Sequence, residues 1–173
     1  MDEYMIVLRI IHIFAGAYWF GAGVFAVGIL EPAVETSGKA GKRFMQHLSQ
    51  RKAFATSFPI VAVLTVVSGV LLYNRVSGGF DSDWITSKPG IALTFGGIVG
   101  IAELIFGGAV HGPTTAKLAD LGKQIEASGA PPAPEQSAEL ERLLQLTKQM
   151  GYISVGLLTI ALFCMAIARY LYG

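Results

Sequence analysis

Four stretches of mainly apolar residues, 4–30, 54–74, 89–110 and 150–172, divide this 173-residue chain. Each reaches the roughly 20 residues that a helix needs to cross the hydrocarbon core of a bilayer. Inside that core each backbone N–H and C=O must be satisfied within the segment, so the runs are expected to be helices; four runs of this length are too few and too long for barrel strands. The composition agrees, with 53% of residues hydrophobic and 14% charged, where a soluble domain carries about 25% charged residues. A chain of this size buries only about 70% of its unfolded surface, which leaves too much apolar side chain for water. The expectation is therefore a single integral membrane domain over residues 1–173, an all-α transmembrane four-helix bundle whose partner is the lipid bilayer. A net charge of +1 provides no field for nucleic acid. The lone cysteine, Cys164, excludes an internal disulfide and a thiolate-cluster metal site. Asp2 and Glu3, in place of a basic segment, precede the first run, so it is expected to stay in the mature protein rather than be cleaved as a signal peptide.

The connections differ in charge. Lys39, Lys42, Arg43, Arg51 and Lys52 lie between spans 1 and 2, and Lys117, Lys123, Arg142 and Lys148 between spans 3 and 4; Arg9, Arg75, Lys88 and Arg169 fall on the other side. The positive-inside rule then predicts a cytoplasmic membrane protein with both termini outside and the connections 31–53 and 112–149 in the cytoplasm. Tyr4, Tyr73, Trp84, Tyr170 and Tyr172 fit as aromatic anchors at the outer level, Phe54 and Tyr152 at the inner one.

The last connection is itself patterned. Thr114–Ala127 reads as a short amphipathic helix, and the prolines in Ser128-Gly-Ala-Pro-Pro-Ala-Pro134 stop it. From Glu135 onward Leu140, Leu143, Leu144, Thr147 and Met150 recur at helical spacing, predicting an amphipathic stretch that runs into span 4 as one helix. The two pieces are expected to form a cytoplasmic amphipathic helical hairpin between spans 3 and 4.

Ionisable groups at membrane depth are costly and serve as functional candidates. His12 lies about 12 Å below the outer end of span 1 at 1.5 Å per residue, and Met165 on span 4 lies at a comparable depth. Both are candidate ligands for one haem iron; a hydrogen-bonded structural histidine and a packing methionine are the plainer alternative. Arg9 and Arg169, each one turn outward, would suit propionates. Gly96, Gly97 and Gly100 on span 3, with Ser68 and Gly69 on span 2, would leave room for a flat ligand, although Gly96-x-x-x-Gly100 also matches a helix-contact pattern. Glu103 sits near the midplane, where a bare carboxylate is expensive; it is expected to face the bundle or bond a hydroxyl such as Tyr18, Ser68 or Thr159, acting as a proton or hydrogen-bonding site. His111 at the inner end of span 3 and His47 in the basic connection are weaker candidates for a metal or second haem.

In span 1, Leu8-Arg-Ile-Ile-His12-Ile-Phe-Ala-Gly-Ala-Tyr-Trp19-Phe-Gly21 gives the pattern His-x6-Trp-x-Gly. This resembles the first helix of a group of small bacterial membrane proteins that includes the copper-resistance D family, the membrane-bound protoporphyrinogen oxidase and, nearest in layout, an uncharacterised four-span integral membrane family. The resemblance implies a b-type haem with His12 as its ligand, and Trp19 and Gly21 shaping the pocket. It does not extend to the basic and histidine-containing segments of the oxidase, so that activity is not implied. Nor do one cysteine and three histidines supply a repeated soft-ligand pathway for copper.

The leading expectation is a haem b protein, electron-transferring or otherwise redox-related; any enzymatic activity would be of the oxidoreductase kind. Met165 or His111 is the candidate second ligand, and the metal candidates are His12 and His111. A cofactor-free scaffold that assembles through glycine faces, as a homo-oligomer or in a larger membrane complex, is the alternative, and a small transporter is the third.

Overall fold

The computed structural model describes residues 3–172; Asp2 and the side chains of Lys42, Gln46, Ser49, Gln50, Phe54 and Ala55 lie outside the described residues, so the Phe54 anchor is not placed. The elements are α1 (Glu3–Phe25), a π segment (Ala26–Leu30), α2 (Glu31–Thr36), α3 (Gly38–Gln50), α4 (Lys52–Val76), α5 (Ser82–Ile85), α6 (Lys88–Phe106), a second π segment (Gly107–His111), α7 (Gly112–Ser128) and α8 (Pro134–Ala168). The chain is all-α among the described residues. Four of its continuous helices, Glu3–Thr36, Thr56–Val76, Lys88–Ser128 and Pro134–Ala168, are long and apolar enough to cross a membrane. Their outward faces carry large apolar side chains: Phe14 is 73% exposed, Ile13 63% and Phe163 62%. Such a continuous apolar surface fits lipid and not water.

Local chemistry sets the boundaries. Asp81 Oδ1 accepts hydrogen bonds from the backbone N–H of Asp83 (2.9 Å) and Trp84 (3.0 Å) and so opens α5. Ser87 Oγ accepts from Gly90 N–H at 3.2 Å, with Pro89 in the first turn of α6. These caps satisfy amides that have no partner within the helix. Gly129, at φ +62°, ends α7 in the left-handed region, and Pro134 starts α8. As expected, the amphipathic stretch after the prolines runs into span 4 as one helix. It stops at Ala168, earlier than Tyr172, and Arg169 is its C-cap residue.

Span 3, expected over 89–110, and the amphipathic helix expected over Thr114–Ala127 form one continuous helix, Lys88–Ser128. Each π segment precedes a proline by one residue, at Pro32 and Pro113, and closes with an i→i−5 hydrogen bond: Glu31 N–H to Ala26 O and Gly112 N–H to Gly107 O. Proline lacks an N–H and its ring crowds the carbonyl four residues back, and a wider turn relieves both problems without ending the helix.

Side-chain contacts fix the neighbours. Arg75 Cζ lies 5.7 Å from the Tyr4 ring centroid and Tyr18 meets Phe58 edge-on at 6.4 Å, so α1 and α4 run antiparallel. Gly96 abuts Cys164 and Met165, while Glu103 faces Ser154 farther along, making α6 and α8 antiparallel as well. Val27 abuts Gly151 and Gly23 faces Val155, which pairs α1 with α8; the Tyr73 and Thr94 hydroxyls, 2.5 Å apart, join α4 to α6. Tyr73, Phe80 and Trp84 cluster at the end where α1 begins and α8 finishes; we call this the terminal end and the opposite one, with α2, α3 and α7, the connection end. There Lys148 Nζ donates to Glu35 Oε1 at 2.8 Å. α7 packs against α8, and α1, α3 and α4 border an open apolar cleft of about 350 Å³ lined by Tyr18, Phe25, Phe44, Leu48 and Phe58.

Candidate functional site

Trp19, Ala62 and Leu158 form a buried apolar cluster, with Leu104 packed against it. All four helices are regular over the seven residues running from that layer toward the terminal end. Seven residues return a helix to within about 20° of the same face, about 10.5 Å away. That step leads to His12 on α1, Gly69 on α4, Gly97 on α6 and Met165 on α8, so the two candidate ligands share a layer, His12 beside Gly69 and Met165 beside Gly96.

His12 is held against α4. Its Nδ1–H donates to the Thr65 carbonyl oxygen at 2.8 Å, with the Ser68 hydroxyl 3.5 Å from the same nitrogen. A carbonyl only accepts, so Nδ1 is the donor of this bond, which leaves Nε2 as the nitrogen not engaged by Thr65. Ser68, 3% exposed, donates its own proton to Leu64 O at 2.5 Å. The imidazole lies over Gly69, where a Cβ would come within 2.8 Å of Cε1. The glycine on span 2 thus makes room for the histidine ring itself, and not, as the sequence suggested, for a flat ligand. Gly69→Ala is expected to tilt the ring and lengthen the Thr65 bond, which NMR would register as a shift of the His12 imidazole resonances; unchanged resonances would contradict this packing.

The span 3 glycines divide into two kinds. Gly96 is buried, and a Cβ there would lie 2.8 Å from Cys164 Cβ, 3.2 Å from Ala161 O and 3.6 Å from Met165 Cε, so this position lets α6 and α8 approach closely. Gly97 and Gly100 have nothing within 4 Å of a Cβ position. Trp19, 7% exposed, belongs to the apolar layer and not to the histidine layer. Gly21 is exposed, with open space around it. Arg9 and Arg169 are exposed toward the terminal end, and the Arg169 guanidinium lies 5.1 Å from the Tyr170 ring centroid.

Glu103 is buried at 2% exposure. It interacts with Ser154 on α8, a residue not singled out from sequence. Tyr18 is 47% exposed and packs on Phe58, Ser68 serves the α4 backbone and His12, and Thr159 Oγ1 donates to Val155 O at 2.7 Å. His111 also reaches Ser154, with 3.5 Å between Nδ1 and Oγ. His47 is exposed on α3. No group of three or more His, Cys, Asp or Glu side chains is placed to hold a metal ion among the described residues. Comparison with protein-family models, with curated proteins and with solved structures returns no match.

Proposed function

We propose that the four spans form one bundle in a bacterial cytoplasmic membrane, with both termini outside and the 112–149 hairpin in the cytoplasm, and that its terminal half holds haem b for electron transfer. The observation that carries this reading is the 2.8 Å contact of His12 Nδ1 with the Thr65 carbonyl oxygen. A histidine whose Nδ1–H is spent on a backbone carbonyl has a fixed ring and an Nε2 lone pair available for iron. The rest of the layer fits: a thioether at Met165, and α6 without side chains at Gly97 and Gly100. Haem b would supply a one-electron couple, its potential raised by methionine ligation. In this chain's part of the work, Thr65 and Ser68 orient His12, the Trp19 layer keeps water from the site, and Arg9 and Arg169 meet the propionates at the terminal end.

Titration of the purified, detergent-solubilised protein with haem tests this. The expected result is a Soret band that saturates at one haem per chain and a reduced form with a sharp α-band; a non-saturating, free-haem spectrum contradicts it. One observation favours a second reading, a scaffold without cofactor: the backbone contact at Gly96 shows that a glycine here can serve helix packing alone.

A further inference from the structure

The face of α8 that carries Leu158 in the apolar layer changes character toward the connection end. Ser154, Gly151 and Thr147 continue it at spacings of four, three and four residues, which keeps them on one side of the helix. Opposite this strip lie Glu103, which interacts with Ser154; His111, 3.5 Å from the Ser154 hydroxyl; and Glu31, whose Oε1 would lie 3.8 Å from a Cβ on Gly151. Among the described residues, three buried side-chain oxygens have no hydrogen-bond partner, and all three are here: Glu31 Oε2, Glu103 Oε2 and Thr147 Oγ1. An unpaired buried polar group costs about 1–3 kcal/mol, and buried polar groups of this kind are commonly bridged by water. Three along about 10 Å of one helix face, at 1.5 Å per residue, are not scattered defects.

The π segments supply an independent reason to read the strip as built. In a regular helix a residue eight positions on from Glu103 would be rotated by about 80° at 100° per residue; the extra residue of the wide turn brings His111 back to within about 20°. The same correction keeps Glu31 in line with Gly23 and Val27, which both face α8. Each wide turn therefore delivers one ionisable side chain to the same strip of α8. Lys148 and Glu35, paired at 2.8 Å, stand at the connection end of the strip.

We propose that Thr147, Ser154, Glu31, His111 and Glu103 line a hydrated tract that carries protons between the connection end and Glu103. In each transfer a water or hydroxyl O–H bond breaks as an O–H bond forms on the next oxygen. At the last step the Glu103 carboxylate takes the proton, and the reverse sequence returns it. The tract ends at the apolar layer of Trp19, Ala62, Leu104 and Leu158, so it is a half-path that loads one carboxyl group and no open pore. It does not rest on the haem reading: a protein without a Soret band would leave it standing.

Infrared spectroscopy of the full chain in lipid vesicles tests the proposal. The neutral carboxyl C=O band of Glu103 is identified by its absence in Glu103→Gln, and its shift is followed after transfer to D2O. In the wild type the band is expected to be present and to shift within the mixing time. Thr147→Val and Ser154→Ala, checked for native helix content by circular dichroism, are expected to slow that shift about tenfold or more, equivalent to about 1.4 kcal/mol of added barrier. A wild-type band that fails to shift over hours, the absence of any band assignable to Glu103, or equally fast exchange in both folded variants would overturn it. The wild-type arm decides the matter even if a variant does not fold.

Discussion

His12→Ala is expected to remove haem absorbance from the purified protein completely while leaving its helix content intact. The imidazole contributes the only ring nitrogen in its layer, and the Thr65 carbonyl that it engages still receives the α-helical hydrogen bond from Gly69, so the fold loses little. The vacated space faces the interior, and added imidazole should enter it and restore part of the Soret band. A purely structural histidine predicts the opposite pattern: lower thermal stability, no colour in either protein and no response to imidazole. A coloured His12→Ala protein with an unshifted spectrum would remove His12 from the ligand set.

Gly96→Leu is expected to separate α6 from α8. Even a Cβ at this position lies 2.8 Å from Cys164 Cβ and 3.2 Å from a backbone oxygen, and the backbone cannot move aside alone. Overpacking of this kind costs about 1–3 kcal/mol, and a leucine sits at or above the upper end. For a chain of this size each kcal/mol is about 2–4 °C of Tm, readable by heating in detergent and scoring the monodisperse fraction. Gly97→Leu is the informative contrast. Its Cβ would meet nothing within 4 Å, so its stability should stay near wild type while haem uptake is lost, because the side chain fills the space assigned to the ligand. Equal effects of the two substitutions would contradict the distinction drawn between them.

The four long helices are legible in the sequence because about 20 apolar residues are a sufficient condition for a span and need no knowledge of neighbours. The run from Leu140 through Met150 into span 4 is legible for a similar reason, its period being unbroken. The continuity of span 3 into α7 is not. The expected span ends at Val110, before Gly112-Pro113, and the i→i−5 closure at Gly107–His111 carries the helix past the proline. Nor does the sequence identify Ser154 as the hydroxyl that Glu103 faces. Periodicity gives each helix a face, but which faces meet depends on packing between segments distant in the chain, and Ser154 is one of several hydroxyls at suitable depth. A signal was present: Thr147, Gly151 and Ser154 extend the face of Leu158 with small and polar residues where apolar ones would be expected. The shared layer of His12 and Met165 is readable from depth alone. The role of Gly69 is not, since the same missing side chain suits a flat ligand or the histidine ring.

Haem b binding in the His12–Met165 layer is tested most directly by the oxidised and dithionite-reduced absorption spectra of protein purified from haem-sufficient cells. The expected result is a Soret band in the oxidised protein, a sharp α-band on reduction, and a change in both with Met165→Ala. A colourless, folded, monodisperse protein would contradict it.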